Sequence, residues 1–227
     1  MALITHAISA DECYRSDEWL NYFDEVVSDK YSFDRCLKND GTTTVTLSSF
    51  NGQQFVVKRF NTKNRWHFLR RPMQISRAKN CYHMAKRYLG AEISTPEPIA
   101  FIQERYLFCK LRSWYVCRHQ TGDLLSDHLT DSTVLPAELN ITLTTLFNRL
   151  AALSLSHGDM KATNLIVDEF NAVHLIDLDA ARAHRGKKSW LKAITKDWNR
   201  LLKNWHHGSA VYQSLQKIRE DFFVRQL

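Results

Sequence analysis

The chain has 227 residues, of which 44% are hydrophobic and 24% are charged, and only 7 are Gly and 4 are Pro. This composition is that of a globular protein and excludes an intrinsically disordered or fibrous chain. The formal net charge of +7 favours an anionic partner, such as a nucleotide, a nucleic acid, a phosphorylated glycolipid or a membrane surface.

Cysteine spacing and hydropathy suggest the compartment. The five cysteines are dispersed and form neither a C-x-x-C pair nor the spacing of a zinc site. We therefore expect a reduced, cytoplasmic environment. The first residues carry no basic segment ahead of an apolar run, so we expect no signal peptide. No segment approaches the roughly 18 apolar residues of a spanning helix, so any membrane contact is expected to be peripheral.

The first half of the chain predicts one helix and then an antiparallel sheet. Residues 1–30 are expected to form an N-terminal extension with an amphipathic helix after Asp17 and Glu18. The apolar residues then recur at every second position, as in strands. Asn51-Gly52 is a strong hairpin signal between the second and third of three predicted strands. These strands are predicted over residues 33–38, 43–50 and 53–60.

The rest of the chain turns from strands to helices. A helix stopped by Gly90 is followed by two more strands, and the character becomes helical after Thr121-Gly122. Trp190, Trp198 and other apolar residues at helical spacing predict a buried helix face rather than a base-stacking platform. The predicted elements are helices over 77–89, 124–129 and 136–155 and strands over 99–103, 114–118, 164–167 and 172–176.

Strands followed by helices indicate an α+β fold with two lobes. We predict an N-lobe with a small antiparallel sheet over residues 31–119 and a mainly helical C-lobe over residues 120–227. A cleft is expected where the two lobes join.

The stretch richest in chemistry is His157-Gly158-Asp159-Met160-Lys161-Ala162-Thr163-Asn164, followed by Leu175-Ile176-Asp177-Leu178-Asp179. Polar side chains just outside apolar segments are typical of a site held by a rigid scaffold. Asn164 and Asp177 flank a predicted hairpin, so their oxygens can meet as ligands of Mg²⁺. Asp159 can then accept a proton from an attacking hydroxyl, as phosphoryl transfer requires. The alternative is a set of ordinary turn residues.

This stretch resembles the catalytic and metal-binding loops of the protein-kinase superfamily. Gly158, in place of Arg, is similar to the small-molecule kinases of that superfamily. More narrowly, the chain resembles the bacterial lipopolysaccharide core kinases, which phosphorylate heptose or 3-deoxy-octulosonic acid. Further strings that carry the resemblance are Val56-Val57-Lys58-Arg59-Phe60, Ser76-Arg77-Ala78, Ser94-Thr95-Pro96-Glu97-Pro98 and Lys196-Asp197-Trp198-Asn199-Arg200.

The resemblance implies a protein-kinase-like fold, ATP and Mg²⁺ as cofactors, and a role for each matching residue. Lys58 would hold the α- and β-phosphates, and Asp159 would be the catalytic base with Lys161 near the transferred phosphate. Asn164 and Asp177 would bind both nucleotide and metal. The turn with Gly41, Thr42 and Thr43 would cover the phosphates. Asp197 would accept hydrogen bonds from the catalytic-loop backbone, and Asp179 would be a further ligand or a helix cap.

Two departures from the kinase pattern keep alternatives open. The phosphate turn has one glycine, where the superfamily's loop has more. The helix over 77–89 has no Glu to pair with Lys58, and Cys81 stands near the expected place; Glu92 or a later acid would take that role, or nucleotide alone would hold Lys58. A kinase with a protein or small-molecule acceptor and a degenerate nucleotide-binding pseudokinase in a stress response therefore remain alternatives.

The distribution of charge bears on the acceptor. Residues 58–87 contain ten Lys or Arg and no Asp or Glu, which is either a solvated basic face or a surface for an anionic partner. The segment between Asp179 and Trp190 is basic and shorter than the segment that docks peptides in protein kinases, which favours a small or glycan acceptor. The predicted acceptor is an anionic glycolipid or sugar at the cytoplasmic face of the inner membrane. No nucleic-acid reader motif is present, so we expect no nucleic-acid partner.

Overall fold

The structure is a computed structural model that describes residues 4–61, 76–107 and 109–226. The chain divides into two compact units. Unit 1 comprises Met1–Lys86 and Glu97–His119, and unit 2 comprises Arg87–Pro96 and Gln120–Leu227. The predicted α+β class is confirmed. The predicted lobe bounds and the separate extension over residues 1–30 stay predictions.

Unit 1 is built on a six-stranded antiparallel sheet with the strand order β1-β5-β6-β4-β3-β2. Two helices accompany it, α1 (Asp17–Val27) and α2 (Arg77–Leu89), the second of which continues into unit 2. The strands are β1 (Ile4–Ala10), β2 (Arg35–Asn39), β3 (Thr43–Phe50), β4 (Gln53–Phe60), β5 (Pro98–Tyr106) and β6 (Cys109–Arg118).

Alternation along β4 sends its side chains to two different hydrophobic clusters. Phe55 and Val57 are buried in the cluster that contains Phe23 and Val26 of α1. Phe60, with Val56 packed against it, belongs to the cluster that contains Ala78, Cys81 and Tyr82 of α2. Because Lys58 lies between Val56 and Phe60 in the alternation, it is on the α2 side of the sheet.

Unit 2 is mainly helical, with two small sheets that shape its loops. Its helices are α3 (Leu125–His128), α4 (Ala137–Ala152), α5 (Lys187–Leu202) and α6 (Ala210–Val224). Its core includes Phe147 of α4 stacked on Trp198 of α5, with 3.7 Å between ring centroids. The strands are β7 (Asp123–Leu124), β8 (Leu155–Ser156), β9 (Leu165–Val167), β10 (Val173–Leu175) and β11 (Arg182–Ala183), ordered β10-β9-β7 and β11-β8.

Several predicted elements are confirmed with their bounds. These are the strands over 43–50 and 53–60 and the helix over 77–89. Asn51 and Gly52 both have positive φ, 49° and 71°, as the predicted two-residue hairpin requires. The predicted buried helix face is also confirmed, since Trp190, Trp198 and Trp205 are buried.

Other predicted bounds were wrong. The helix predicted to run to Leu155 ends at Ala152, because Ser154 has a φ of 51° and Leu155 pairs with Ala183 as a strand. Asn164 lies in a 3₁₀ turn (Ala162–Asn164) just before β9 rather than in the strand. The structure also contains β1 and α6, which the sequence analysis did not predict. No described helix is both long and apolar enough to cross a membrane.

Candidate active site

The loop over residues 157–164 follows β8 and carries the predicted catalytic side chains. His157 begins it and is fully buried. Its Nδ1 accepts a hydrogen bond from the Asp159 N–H at 3.2 Å, and its Nε2 lies 2.8 Å from the Ile176 carbonyl oxygen. A ring that accepts at Nδ1 and donates at Nε2 is neutral. Burial also lowers the pKa of His157, so the neutral imidazole ties the loop to the residue before Asp177.

Asp197 on α5 anchors the backbone of the same loop, as the resemblance implied. The His157 N–H donates to Asp197 Oδ2 at 2.7 Å, and the Gly158 N–H donates to Oδ1 at 2.9 Å. Burial raises the pKa of Asp197, while the hydrogen bonds from these N–H groups oppose that rise. This buried carboxylate therefore fixes the loop on the helix, and the predicted role of Asp197 is confirmed.

The side chain of Asp159 lies between two cations. Lys161 Nζ is 3.0 Å from Asp159 Oδ2, and Arg200 of α5 forms an ion pair with Oδ1. The carboxylate of Asp159 is 22% exposed, and the Lys161 and Arg200 side chains are about half exposed, at 50% and 49%. The arrangement is a partly buried carboxylate on a fixed loop, with two positive charges that suit a phosphoryl group.

Asn164 is held against the same loop. Its Nδ2 donates to the Asp159 carbonyl oxygen at 2.8 Å, which leaves Oδ1 as the other polar atom of the amide. The Ile176 N–H donates to the Asn164 carbonyl oxygen at 3.0 Å. The backbone next to Asp177 is therefore paired with the backbone of Asn164, and the predicted meeting of their side-chain oxygens stays a prediction.

Asp177 has an unusual backbone conformation. Its φ of 62° and ψ of 55° place it in the left-handed region, which is sparsely populated by residues other than Gly, Asn and Asp. Such conformations concentrate at functional sites. Among the described residues no group of three or more His, Cys, Asp or Glu could hold a metal. An amide and a carboxylate oxygen nevertheless fit Mg²⁺, because substrate phosphates and water complete its coordination.

Gly158 allows the loop to approach its neighbour closely. Its φ is +81°, and a Cβ at this position would lie 2.5 Å from the Ala180 carbonyl oxygen. A side chain would therefore clash with the backbone just after Asp177 and Asp179. The glycine noted in the sequence is a packing requirement of this loop.

Lys58 belongs to unit 1, at the centre of the sheet. It is paired with Val45 on β3 and with Tyr115 on β6. Its Nζ lies 5.1 Å from the centroid of the Phe60 ring, and the Arg77 guanidinium lies 4.5 Å from the same centroid. Two cations therefore lie against one aromatic ring on the α2 side of the sheet. α2 presents no carboxylate there, since its sequence contains no Asp or Glu.

The turn between β2 and β3 contains Gly41, Thr42 and Thr43, which the resemblance implied would cover phosphates. Two of its N–H groups are already in use. The N–H groups of Thr42 and Thr43 donate to Asp40 Oδ1 at 3.0 and 2.8 Å, and the Thr42 hydroxyl donates to the same oxygen at 2.9 Å. Asp40 thus holds the donors that a phosphate would need.

Sequence reasoning missed Arg200 and the role of His157. A signal for Arg200 was available, because Arg200 lies three residues after Asp197 and therefore on the same face of a helix. Glu92, one of the acids considered as a partner for Lys58, forms an ion pair with Arg149 within unit 2. Of the basic run over residues 58–87, Lys63, Arg65, Arg70 and Arg71 lie outside the described residues.

Comparison with known protein families identifies one that covers most of the chain. Residues 36–221 match the lipopolysaccharide kinase (Kdo/WaaP) family. No curated protein matches the chain. The matched region includes β2 to β11, the 157–164 loop and α5. The chain therefore belongs to the lipopolysaccharide kinase (Kdo/WaaP) family, whose members are ATP-dependent sugar kinases of lipopolysaccharide.

Proposed function

We propose that this kinase transfers the γ-phosphate of ATP to a sugar hydroxyl of the lipopolysaccharide core at the cytoplasmic face of the inner membrane. The observation that carries the proposal is the position of Asp159, a partly exposed carboxylate between two cations on a loop that Asp197 and His157 hold in place. Phosphoryl transfer requires positioning and charge neutralisation more than covalent chemistry from the protein.

The proposed chemistry divides among residues of the 157–164 loop and its surroundings. Asp159 orients the acceptor hydroxyl and accepts its proton as the oxygen attacks the γ-phosphorus. Lys161, 3.0 Å from Asp159 Oδ2, lies where it can stabilise negative charge on the transferred group. Asn164 and Asp177 would hold Mg²⁺, which when bound neutralises charge on the ATP phosphates.

The proposed binding of the ATP phosphates involves residues of unit 1. Lys58 binds the α- and β-phosphates, and Gly41, Thr42 and Thr43 cover them. Because Asp40 occupies the donors of this turn, phosphate binding there requires its carboxylate to withdraw. Asp40→Asn removes a negative charge that competes with phosphate, so we expect a several-fold lower KM for ATP. An unchanged KM would exclude the turn from phosphate binding.

The catalytic assignment is tested by release of ADP from ATP, Mg²⁺ and core oligosaccharide by the purified protein. Removal of a general base lowers turnover by about 10²–10⁴-fold, so Asp159→Asn should reduce ADP release to that extent. Asp127→Asn, at an exposed carboxylate of α3, is the matched control and should keep wild-type turnover. Equal turnover in the Asp159 variant would refute the assignment.

A second candidate is a nucleotide-binding pseudokinase in a stress response. Two observations favour it: α2 has no carboxylate to pair with Lys58, and Asp40 blocks the donors of the phosphate turn. Nucleotide-dependent thermal stabilisation without any ADP release would support this candidate. Phosphate transfer to a protein or small molecule instead of core oligosaccharide would keep the kinase and change its acceptor.

A further inference from the structure

A row of cations follows one face of α5. Lys188, Lys192, Lys196 and Arg200 of α5, and Lys203 at its C-cap, are spaced by three or four residues, so they lie on the same side of the helix. All five are exposed. At 1.5 Å per residue, the row is about 22 Å long. We call these five residues the α5 cation row.

Of the α5 cation row, Arg200 is paired with Asp159, and the charge of the four lysines is not neutralised by the part of the chain that the structure describes. The one acid in α5 is Asp197, which is buried and bonded to the backbone of the 157–164 loop. Within the described ranges, none of the four lysines of the row has a carboxylate within 4.0 Å. Like charges at this spacing repel, each pair by some tenths of a kcal/mol, so folding does not account for the row.

Three cations in other parts of the described chain are used differently. Lys86 pairs with Asp11, Arg118 pairs with Glu97, and Arg149 pairs with Glu92. These pairs connect segments that are distant in sequence and thereby contribute to the fold. The α5 cation row makes no such connection through its lysines. Its charge is available to a ligand outside the chain.

The row leads to the proposed catalytic base. Arg200, near its C-terminal end, forms the ion pair with Asp159. An anion spread along the row therefore continues to the place where the acceptor hydroxyl would be activated. A single phosphate is much shorter than about 22 Å, so the row fits an array of anionic groups better than one isolated group.

We propose that the α5 cation row docks the anionic headgroup surface in which the acceptor glycolipid is embedded. This inference rests on the proposed function, because it names how the acceptor reaches Asp159. A basic residue near an anionic membrane surface contributes about 1 kcal/mol to binding. Lys188, Lys192 and Lys196 together would then account for roughly 10²-fold in binding to the surface.

Binding to vesicles tests the docking surface directly. The row variant combines Lys188→Glu, Lys192→Glu and Lys196→Glu. The control variant combines Lys30→Glu, Lys217→Glu and Arg225→Glu, which change three exposed cations elsewhere by the same charge. Sedimentation with phosphatidylcholine vesicles containing phosphatidylglycerol should show at least a tenfold loss for the row variant and a much smaller loss for the control. Pure phosphatidylcholine vesicles should bind none of the three proteins.

An activity measurement separates docking from catalysis. With soluble core oligosaccharide, the row variant should keep the wild-type kcat. With the same acceptor as a glycolipid in anionic vesicles, its apparent KM should rise at least tenfold. The lower apparent KM of the wild-type protein for the acceptor in vesicles is expected to approach that of the row variant as the salt concentration is raised.

Three results would overturn the docking surface. They are unchanged vesicle binding by the row variant, an equal loss in both triple variants, and binding of the wild-type protein to duplex DNA but not to anionic vesicles. If neither the wild-type protein nor the two variants phosphorylate either acceptor while the vesicle results hold, the proposed function fails and the docking surface stands.

Discussion

Gly158 illustrates how a single residue determines the geometry of the candidate site. Its positive φ costs most other residues about 1 kcal/mol or more, and a Cβ would also meet the Ala180 carbonyl oxygen at 2.5 Å. We expect Gly158→Ala to lower the free energy of unfolding by about 2–4 kcal/mol, measured by urea denaturation. Gly208→Ala is the matched control, since Gly208 has a φ of +91° in open space. Equal losses in the two variants would show that the contact with Ala180 is unimportant.

A substitution at Asp177 can separate the effect of its backbone conformation from the effect of its charge. Asn also tolerates the left-handed region, so Asp177→Asn keeps the conformation and removes the charge expected to bind Mg²⁺. We expect a loss of kcat of about 10²-fold or more with a melting temperature close to that of the wild type. Asp179→Asn tests whether the neighbouring acid, whose role the sequence left open, is a second ligand. Similar activity of Asp177→Asn and wild type would exclude Asp177 from the metal site.

At the level of the secondary-structure elements, β5 and β6 are joined by an ion pair whose contribution to stability depends on pH. Glu104 on β5 is buried and accepts hydrogen bonds from Arg112 on β6, with Nη2–Oε1 at 2.8 Å and Nε–Oε2 at 3.0 Å. Burial raises the pKa of Glu104, but the bonds and charge of Arg112 outweigh burial, and the pKa lies below its usual value. This contribution to stability is therefore present above the pKa of the unfolded chain and is lost as the pH falls below it.

The corresponding experiment compares unfolding free energies between pH 7 and pH 3. Glu104→Gln should cost roughly 1–2 kcal/mol at pH 7, because charged hydrogen bonds to a half-exposed partner are lost. The cost should shrink as the pH falls below about 4.5, where the unfolded carboxyl protonates in the wild type. Glu12→Gln, at an exposed carboxylate without a described cationic partner, should show neither effect. A cost that is constant with pH would contradict the ion-pair interpretation.

Local signals predicted some elements well and others poorly. The Asn51-Gly52 hairpin and α2 carry their signals within the element, as turn residues and helical spacing, and both were predicted with their bounds. β1 is an edge strand with mostly exposed residues, and it is defined by pairing with β5, which is distant in sequence. Its sequence alone has little pattern to detect. By contrast, α6 has a detectable pattern, because its buried apolar residues Val211, Leu215, Ile218 and Phe222 recur at helical spacing. This helix was not predicted from the sequence.

For the molecule as a whole, the sequence predicted the chemical residues of the 157–164 loop better than their surroundings. The order of Asp159, Lys161 and Asn164 is local, so a motif reveals it. The ion pair of Asp159 with Arg200 and the bond of His157 to Ile176 depend on where α5 and β10 pack. Helix spacing from Asp197 could have suggested Arg200, but which side chain reaches Asp159 is determined by the tertiary structure.

Binding of nucleotide to the whole chain gives the broadest test of the proposed function. A ligand at 100 times its dissociation constant stabilises the folded state by about 2.7 kcal/mol, which corresponds to a rise of about 5–10 °C in melting temperature for a chain of this size. We expect this rise with ATP and Mg²⁺, and a smaller one when EDTA removes the metal, because Asn164 and Asp177 would then face the phosphates without it.

Lys58→Met should reduce the same rise by removing the positive charge proposed for the α- and β-phosphates, whereas Lys30→Met, at an exposed lysine of unit 1, should leave it unchanged. A rise in the wild type that is identical with and without EDTA would exclude the metal from nucleotide binding. An equal rise in the Lys58 variant would exclude Lys58 from the phosphate site. Stabilisation that follows this pattern without ADP release would mean that the chain binds the nucleotide as the family implies but has lost the transfer step.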